Sequence, residues 1–429
     1  MFGFANFLLL ALFAAAVFDL IFALARGGGL RGALHGLWNT PHLLFGQQLA
    51  EWRLQLGRIL FAAGLAAYEI SVVFCNSMAR QNWAWVQGVM SPVLEWLAFL
   101  CFGAKILFGT RYTWRELLAG GALYFIARWV YFNSQNIWWI GIVVAVLAAK
   151  DVRLRRPLQV YFASGCAAMA VVLALHFAGI VAPDLTSERM GALRGTYGYG
   201  HPNTFGGLVF GLVLAYALLR AQKVRWVDCL LVFAVGVFLL VGPASRSAAL
   251  CTLALAVGLV FCRLRAGHSV PRWWPGTCAG MVGLTAAVSY LLPLLVIKVG
   301  PWNNDIGPAW LAKLDSLLTC RISLTWMAYR LLDVKIAGQV FNWPTVDNSF
   351  AFALFQFGPV VAALLGILFA AALWGHAKQG RRVEVCCLFA MLAYAYMEVQ
   401  PFHLTTNPTA LLLCGAVFAQ TSARWQKIE

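Results

Sequence analysis

The sequence predicts an all-α integral membrane protein, and three observations carry that prediction. Hydrophobic residues make up 62% of the 429 and charged residues only 11%, a balance foreign to soluble globular chains of this length. Apolar runs of about 17–25 residues, the length that crosses a bilayer, recur along the whole chain. The basic residues alternate: 22 of the 32 Lys and Arg fall in every second connection between those runs, the pattern of cytoplasmic loops.

Thirteen apolar runs of about that length are read, near 3–25, 57–75, 93–109, 116–132, 135–149, 157–181, 202–219, 226–242, 247–262, 277–299, 351–374, 384–399 and 406–422. About 12–13 transmembrane helices are therefore expected in one polytopic domain over 1–429. The first run has no basic segment before it and no small-residue cleavage site after it, so it reads as a retained span rather than a removed signal peptide. The basic-rich connections are 26–58, 105–115, 150–156, 220–225, 263–272, 378–382 and the tail. That places the N-terminus outside, the C-terminus in the cytoplasm, and a large loop, 300–350, outside between the tenth and eleventh spans. The formal charge of +16 is then mostly membrane-surface anchoring. No basic patch interleaved with stacking aromatics points to nucleic acid.

The eleven cysteines are scattered through apolar runs with no CxxC and no Cys/His spacing. They read as small hydrophobes, implying neither structural zinc nor disulfides. No phosphate-binding loop or dinucleotide fingerprint is present, which argues against ATP-driven transport on this chain.

Polar chemistry gathers on the expected outer side. A charge near the bilayer centre costs roughly 2.5–3.5 kcal/mol, so Arg128 inside a span and Arg80, Arg189, Arg194, Arg246 and Arg321 outside need either headgroup snorkelling or a partner. The stretch 194-RGTYGYGHPNTFGG-207 turns through glycines. It then brings Arg194, Tyr197, Tyr199, His201 and Asn203 to a helix start marked by Pro202. In 242-GPASRSAAL-250, Ser245 and Ser247 can cap the helix beginning there. Arg246 beside that positive helix end makes a site for phosphate.

The 300–350 loop carries Trp302, Trp310, Trp326 and Trp343 beside Asn303, Asn304 and Asp305. Indole faces next to amides and carboxylates suit sugar rings; an interfacial aromatic belt is the alternative. Leu314, Leu317, Arg321, Leu324, Ala328 and Leu331 follow helical spacing, so Arg321 interrupts an apolar stripe and wants a buried anion. In 346-VDNSFAFALFQFG-358, Asp347 is either a helix cap or a carboxylate that takes a proton, with Asn348 next to it as a sugar contact. The segment 398-EVQPFHLTTNP-408 is expected to set Glu398, His403 and Asn407 on one face, with Glu398 paired to an outer arginine.

The GYGHPNTFGG run, the SRSA helix start and the R…VDNSF…FG close of a large loop resemble bacterial polysaccharide polymerases of the Wzy type and the wider O-antigen ligase and polymerase superfamily. The resemblance lies in 194–408. It implies a GT-C-like, inverting, metal-independent glycosyltransferase with no cofactor, in the bacterial cytoplasmic membrane. Such an enzyme transfers a glycan from undecaprenyl diphosphate to the end sugar of another lipid-linked unit on the outer face. By matching motifs it assigns the diphosphate to Arg194, Arg246 and Arg321; the side-chain chemistry itself sets the sugars at Tyr197, Tyr199, Asn203, Trp302, Trp343, Asn348 and Glu398. It also implies a flippase and a chain-length regulator of the same pathway as partners, besides membrane lipids. The related ligases carry a histidine in the large loop. This chain has none in 269–375, which turns attention to Asp347, His201 and His403 as the base. A ligase using another acceptor and a lipid-linked sugar flippase are the competing readings. A flippase would show paired halves with broken helices, and no internal repeat is found.

Overall fold

The computed structural model describes residues 2–25, 29–181, 187–189, 192–296 and 307–418. Trp302 and its neighbours Asn303, Asn304 and Asp305 lie outside them. Helices dominate. The first group comprises α1 (Phe2–Ala25), α2 (Gly29–Asn39), α3 (Ala50–Cys75), α4 (Ala79–Asn82), α5 (Ser91–Phe108), α6 (Trp114–Ser134), α7 (Ile137–Ala148) and α8 (Arg155–Phe177). The second comprises α9 (Pro202–Leu219), α10 (Trp226–Val241), α11 (Arg246–Leu264) and α12 (Trp274–Leu291). Two short helices, α13 (Ala309–Leu317) and α14 (Arg321–Leu331), follow, and then α15 (Ser349–Phe352), α16 (Pro359–Lys378), α17 (Arg382–Met397) and α18 (Cys414–Val417).

Among the described residues, eight helical segments are long and apolar enough to cross a membrane. The stretches 137–148, 226–241 and 408–417 form shorter apolar helices. Large apolar side chains such as Phe7, Leu10, Ile21, Leu230 and Val241 stand exposed on the flanks. A surface of that kind belongs against lipid, so the architecture is that of a multi-pass membrane protein.

Local chemistry sets the helix ends. Thr113 and Glu116 form a reciprocal capping box at the start of α6. Asn136 caps α7. Pro202, Pro275 and Pro359 sit in first turns, where the missing N–H has no cost. Two short antiparallel ladders complete the secondary structure, β1 (His42–Leu43) with β2 (Arg111–Tyr112) and β3 (Ser187–Arg189) with β4 (Ala192–Arg194).

α3 packs on α5 and α8, α10 on α11, α12 on α16, and α17 on α11. α9 lies between α8, α11 and α17 and is apolar nearly all round, as a helix buried within a bundle must be. Arg128 of α6 finds a partner in the amide of Asn6 on α1, at 2.8 Å from Nε.

The expected helix through 314–331 is broken. Thr319 and Cys320 both take left-handed backbone angles, φ 62° and 64°, and end α13. α14 then starts afresh at Arg321. The stripe is accordingly discontinuous: Leu317 and Leu331 are exposed, while Arg321 and Ala328 are buried.

Candidate functional site

Four chain segments converge at one end of the bundle: the start of α9 with the loop before it, the start of α11, the start of α14, and the residues after α17. Each is brought there by local structure. The loop before α9 turns at Tyr197 and Gly198, φ 51° and 80°. A Cβ on Gly198 would lie 2.9 Å from the Cβ of His176, so glycine is required there for space as well as for angle. His201 caps α9, its Nδ1 accepting from the Asn203 N–H at 3.1 Å.

α14 is capped from a distance. Asp315, fully buried in α13, accepts from the N–H groups of Ile322 and Ser323 at 2.8 and 3.2 Å and from the Ser323 hydroxyl at 2.8 Å. Cap and left-handed turn together place Arg321 at the head of α14.

Glu398, immediately after α17, is the hub. Its Oε1 accepts from Arg321 Nη2 at 2.9 Å, from the Ser247 hydroxyl at 2.8 Å and from Asn203 Nδ2 at 3.1 Å. The arginine expected for Glu398 is thus Arg321. Asn203 passes the network on: its Oδ1 accepts from Arg194 Nη2 at 2.9 Å, and a second bond runs from that nitrogen to the Ala244 carbonyl at 3.2 Å. Arg321 is anchored further by Nε to the Met397 carbonyl at 2.8 Å and by Nη1 to that of Thr319 at 3.2 Å. Asp347 stands on its other side, Oδ2 3.6 Å from Nη2. Burial pushes the Glu398 carboxyl above the ordinary range. Arg321 pulls it back down, and Asp347 adds to the rise.

These groups line a cleft of about 490 Å³ formed by Arg194, His201, Asn203, Thr319, Arg321, Thr345, Asp347, Glu398, Val399 and Gln400. Six residues singled out from the sequence, Arg194, His201, Asn203, Arg321, Asp347 and Glu398, therefore share one cavity. Its charged lining is two arginines, Arg194 and Arg321, and two carboxylates, Asp347 and Glu398, with Arg321 beside both carboxylates. Its size suits a charged headgroup with one or two sugar rings. Trp343 is 65% exposed and is not among the residues that line the cleft.

Several expectations are corrected. Tyr199 is 0% exposed in a core with Val73, Tyr161, Val172 and Phe205; an aromatic ring that deep packs the fold and cannot meet a sugar. Tyr197 stacks on Phe205 at 5.0 Å and touches Phe238 rather than lining the cleft. Asn348, not Asp347, caps α15: its Oδ1 accepts from Phe350 and Ala351, and its Nδ2 donates to Ser289 Oγ and the Tyr396 carbonyl. With every polar atom so engaged, it is a structural cap and not a sugar contact.

Ser245 and Ser247 do not cap α11. Their hydroxyls point to Asn203 and Glu398 instead. Arg246 between them is exposed at the head of α11 and outside the cleft lining. His403 lies against the Trp138 ring, centroids 3.8 Å apart, and Asn407 caps the turn at 408–413. The chain after Glu398 folds as short 3-10 turns, so these three do not share a face.

Sequence reasoning missed Asp315, Thr319, Thr345 and Gln400. Asp315 caps a helix that begins six residues later, beyond the short spacing by which caps are recognised. Gln400, whose Nε2 donates to the Asn203 carbonyl at 3.3 Å, follows no period.

Among the described residues no group of three or more His, Cys, Asp or Glu is gathered as metal ligands. No protein-family model, curated protein or solved structure matches the chain.

Proposed function

We propose that the cleft is the active site of a polymerase acting on lipid-linked saccharide units at the outer face of the bacterial cytoplasmic membrane. One observation carries the reading: two arginines distant in sequence, Arg194 and Arg321, line a cavity with a partly accessible carboxylate, Asp347. That is the equipment glycosyl transfer from a diphosphate requires without a metal. The acceptor hydroxyl oxygen attacks the anomeric carbon of the donor sugar. The bond from that carbon to the diphosphate oxygen breaks, its electron pair leaving with the diphosphate. The acceptor proton passes to Asp347.

Negative charge develops on the leaving group, and preorganised guanidinium groups stabilise charge where it develops. Single displacement at the anomeric carbon, with Asp347 as the base, makes the transfer inverting. His201 lines the same cleft, its Nδ1 accepting from the Asn203 N–H.

Purified protein given lipid-linked repeat units is expected to produce a polymer ladder. A single addition to a foreign acceptor would indicate a ligase, and no new glycosidic bond a transporter. Asp347→Asn is expected to lower turnover about a hundredfold or more while donor binding is retained. A rate above roughly a tenth of wild type would remove Asp347 as the base.

A further inference from the structure

One nitrogen, Arg321 Nη2, faces two carboxylates, and they are held unequally. Glu398 Oε1 is at hydrogen-bond distance, 2.9 Å. Its side chain is 6% exposed, and the same oxygen takes Ser247 and Asn203. Moving it would strand three donors in a buried setting, which is costly. Asp347 Oδ2 is at 3.6 Å, beyond hydrogen-bond length, and its side chain is 26% exposed to the cleft. It has no capping duty to hold it, since Asn348 performs that. Longer than a hydrogen bond and with its carboxylate partly open to the cleft, this contact is the looser of the two on Arg321. An anion entering the cleft therefore competes with Asp347 for Arg321 and leaves Glu398 in place.

We infer that the phosphate of the bound donor displaces Asp347 from Arg321, and that this exchange frees the carboxylate to serve the acceptor. The inference rests on the cleft being a diphosphate site. Glu398 is the positioning residue that keeps Arg321 aimed while its second partner changes. Asp347 is occupied until the donor arrives, so the acceptor hydroxyl is engaged only in the presence of something to attack. The charge balance supports the exchange: two arginines and two carboxylates line the empty cleft, and moving one carboxylate off Arg321 leaves cationic surface for the diphosphate.

The test uses the full-length protein in detergent and inorganic pyrophosphate as the probe, with affinity read by calorimetry. Wild type is expected to bind, and Arg321→Ala to weaken binding at least about tenfold. Asp347→Asn, which keeps the shape and removes the competing charge, is expected to bind pyrophosphate about fivefold more tightly. Asp347→Ser, too short to reach Arg321, is expected to do the same and covers the case in which the asparagine variant folds poorly. If both variants bind no better than wild type while Arg321→Ala still weakens binding, the exchange is refuted and the diphosphate reading stands. If wild-type binding is absent or indifferent to Arg321, the diphosphate reading fails and the exchange with it.

Discussion

Arg321 grips with three different nitrogens, reaching the Met397 and Thr319 carbonyls and Glu398. Lysine has one point charge and no planar fork. Arg321→Lys is therefore expected to cost about tenfold to a hundredfold in turnover, though net charge is unchanged; near-wild-type turnover would contradict a shaped guanidinium site. Arg246, exposed and outside the lining, should matter less, so Arg246→Ala should reduce turnover less than Arg194→Ala or Arg321→Ala does. Glu398 sets a pH dependence. Its carboxyl sits above the ordinary range, so on acidification it takes a proton, and releases Arg321, sooner than an exposed glutamate would. The acid limb of donor binding is expected to lie above the usual carboxylate range and to flatten in Glu398→Gln. The stability sign runs the other way. A raised folded-state pKa means that the group's contribution is present below the unfolded pKa and is lost as pH rises through the folded value. Wild type should thus lose melting temperature relative to Glu398→Gln as pH climbs through that range, and a constant difference would count against the shift.

At the scale of elements, α9 and the 398–406 segment are pressed together by missing side chains. A Cβ on Gly207 would stand 1.8 Å from Gln400 Oε1, and one on Gly211 2.3 Å from the Thr405 carbonyl oxygen. The first obstacle is the end of a side chain that can swing away; the second is backbone. Gly211→Ala is expected to destabilise by roughly 1–3 kcal/mol and more than Gly207→Ala, as thermal unfolding would register. Gly207→Ala should instead disturb the Gln400–Asn203 bond and show mainly in turnover. Asp315→Ala removes the cap of α14 and is expected to lower both stability, by about 1–2 kcal/mol, and donor binding, because Arg321 heads that helix. The start of α9 was legible in the sequence, since Pro202 and the apolar run after it have a local meaning. The break at 318–320 was not. Leu314, Leu317, Leu324 and Leu331 keep helical spacing across it, and nothing in the side chains of Thr319 or Cys320 announces a left-handed backbone.

At the scale of the molecule, the alternating basic connections lead us to expect an N-terminus outside and a C-terminus in the cytoplasm. Reporter fusions at 150–156 and 378–382 are expected to report cytoplasmic, and a fusion within 333–345 external; the reverse pattern would put the cleft on the wrong side for lipid-linked donors delivered outside. EDTA is expected to leave turnover unchanged, because in the proposed site arginines rather than a carboxylate-held ion would face the leaving group. Activity lost with chelator and restored by Mg²⁺ would refute that.

What the sequence determined by itself was the membrane class and the approximate place of most apolar helices, because hydropathy and insertion depend on runs of neighbours and on nothing distant; the run expected at 351–374 is broken before Pro359, and that at 406–422 opens as a 3-10 turn. It also marked six of the residues that line the cleft, since charges out of place in an apolar chain stand out singly. Which of them meet was decided by tertiary structure alone. Glu398 takes donors from α9, α11 and α14 on one oxygen, while Tyr199, two residues from His201, is turned into the core. A carboxylate chooses its partners by distance in space, and no local pattern carries that distance.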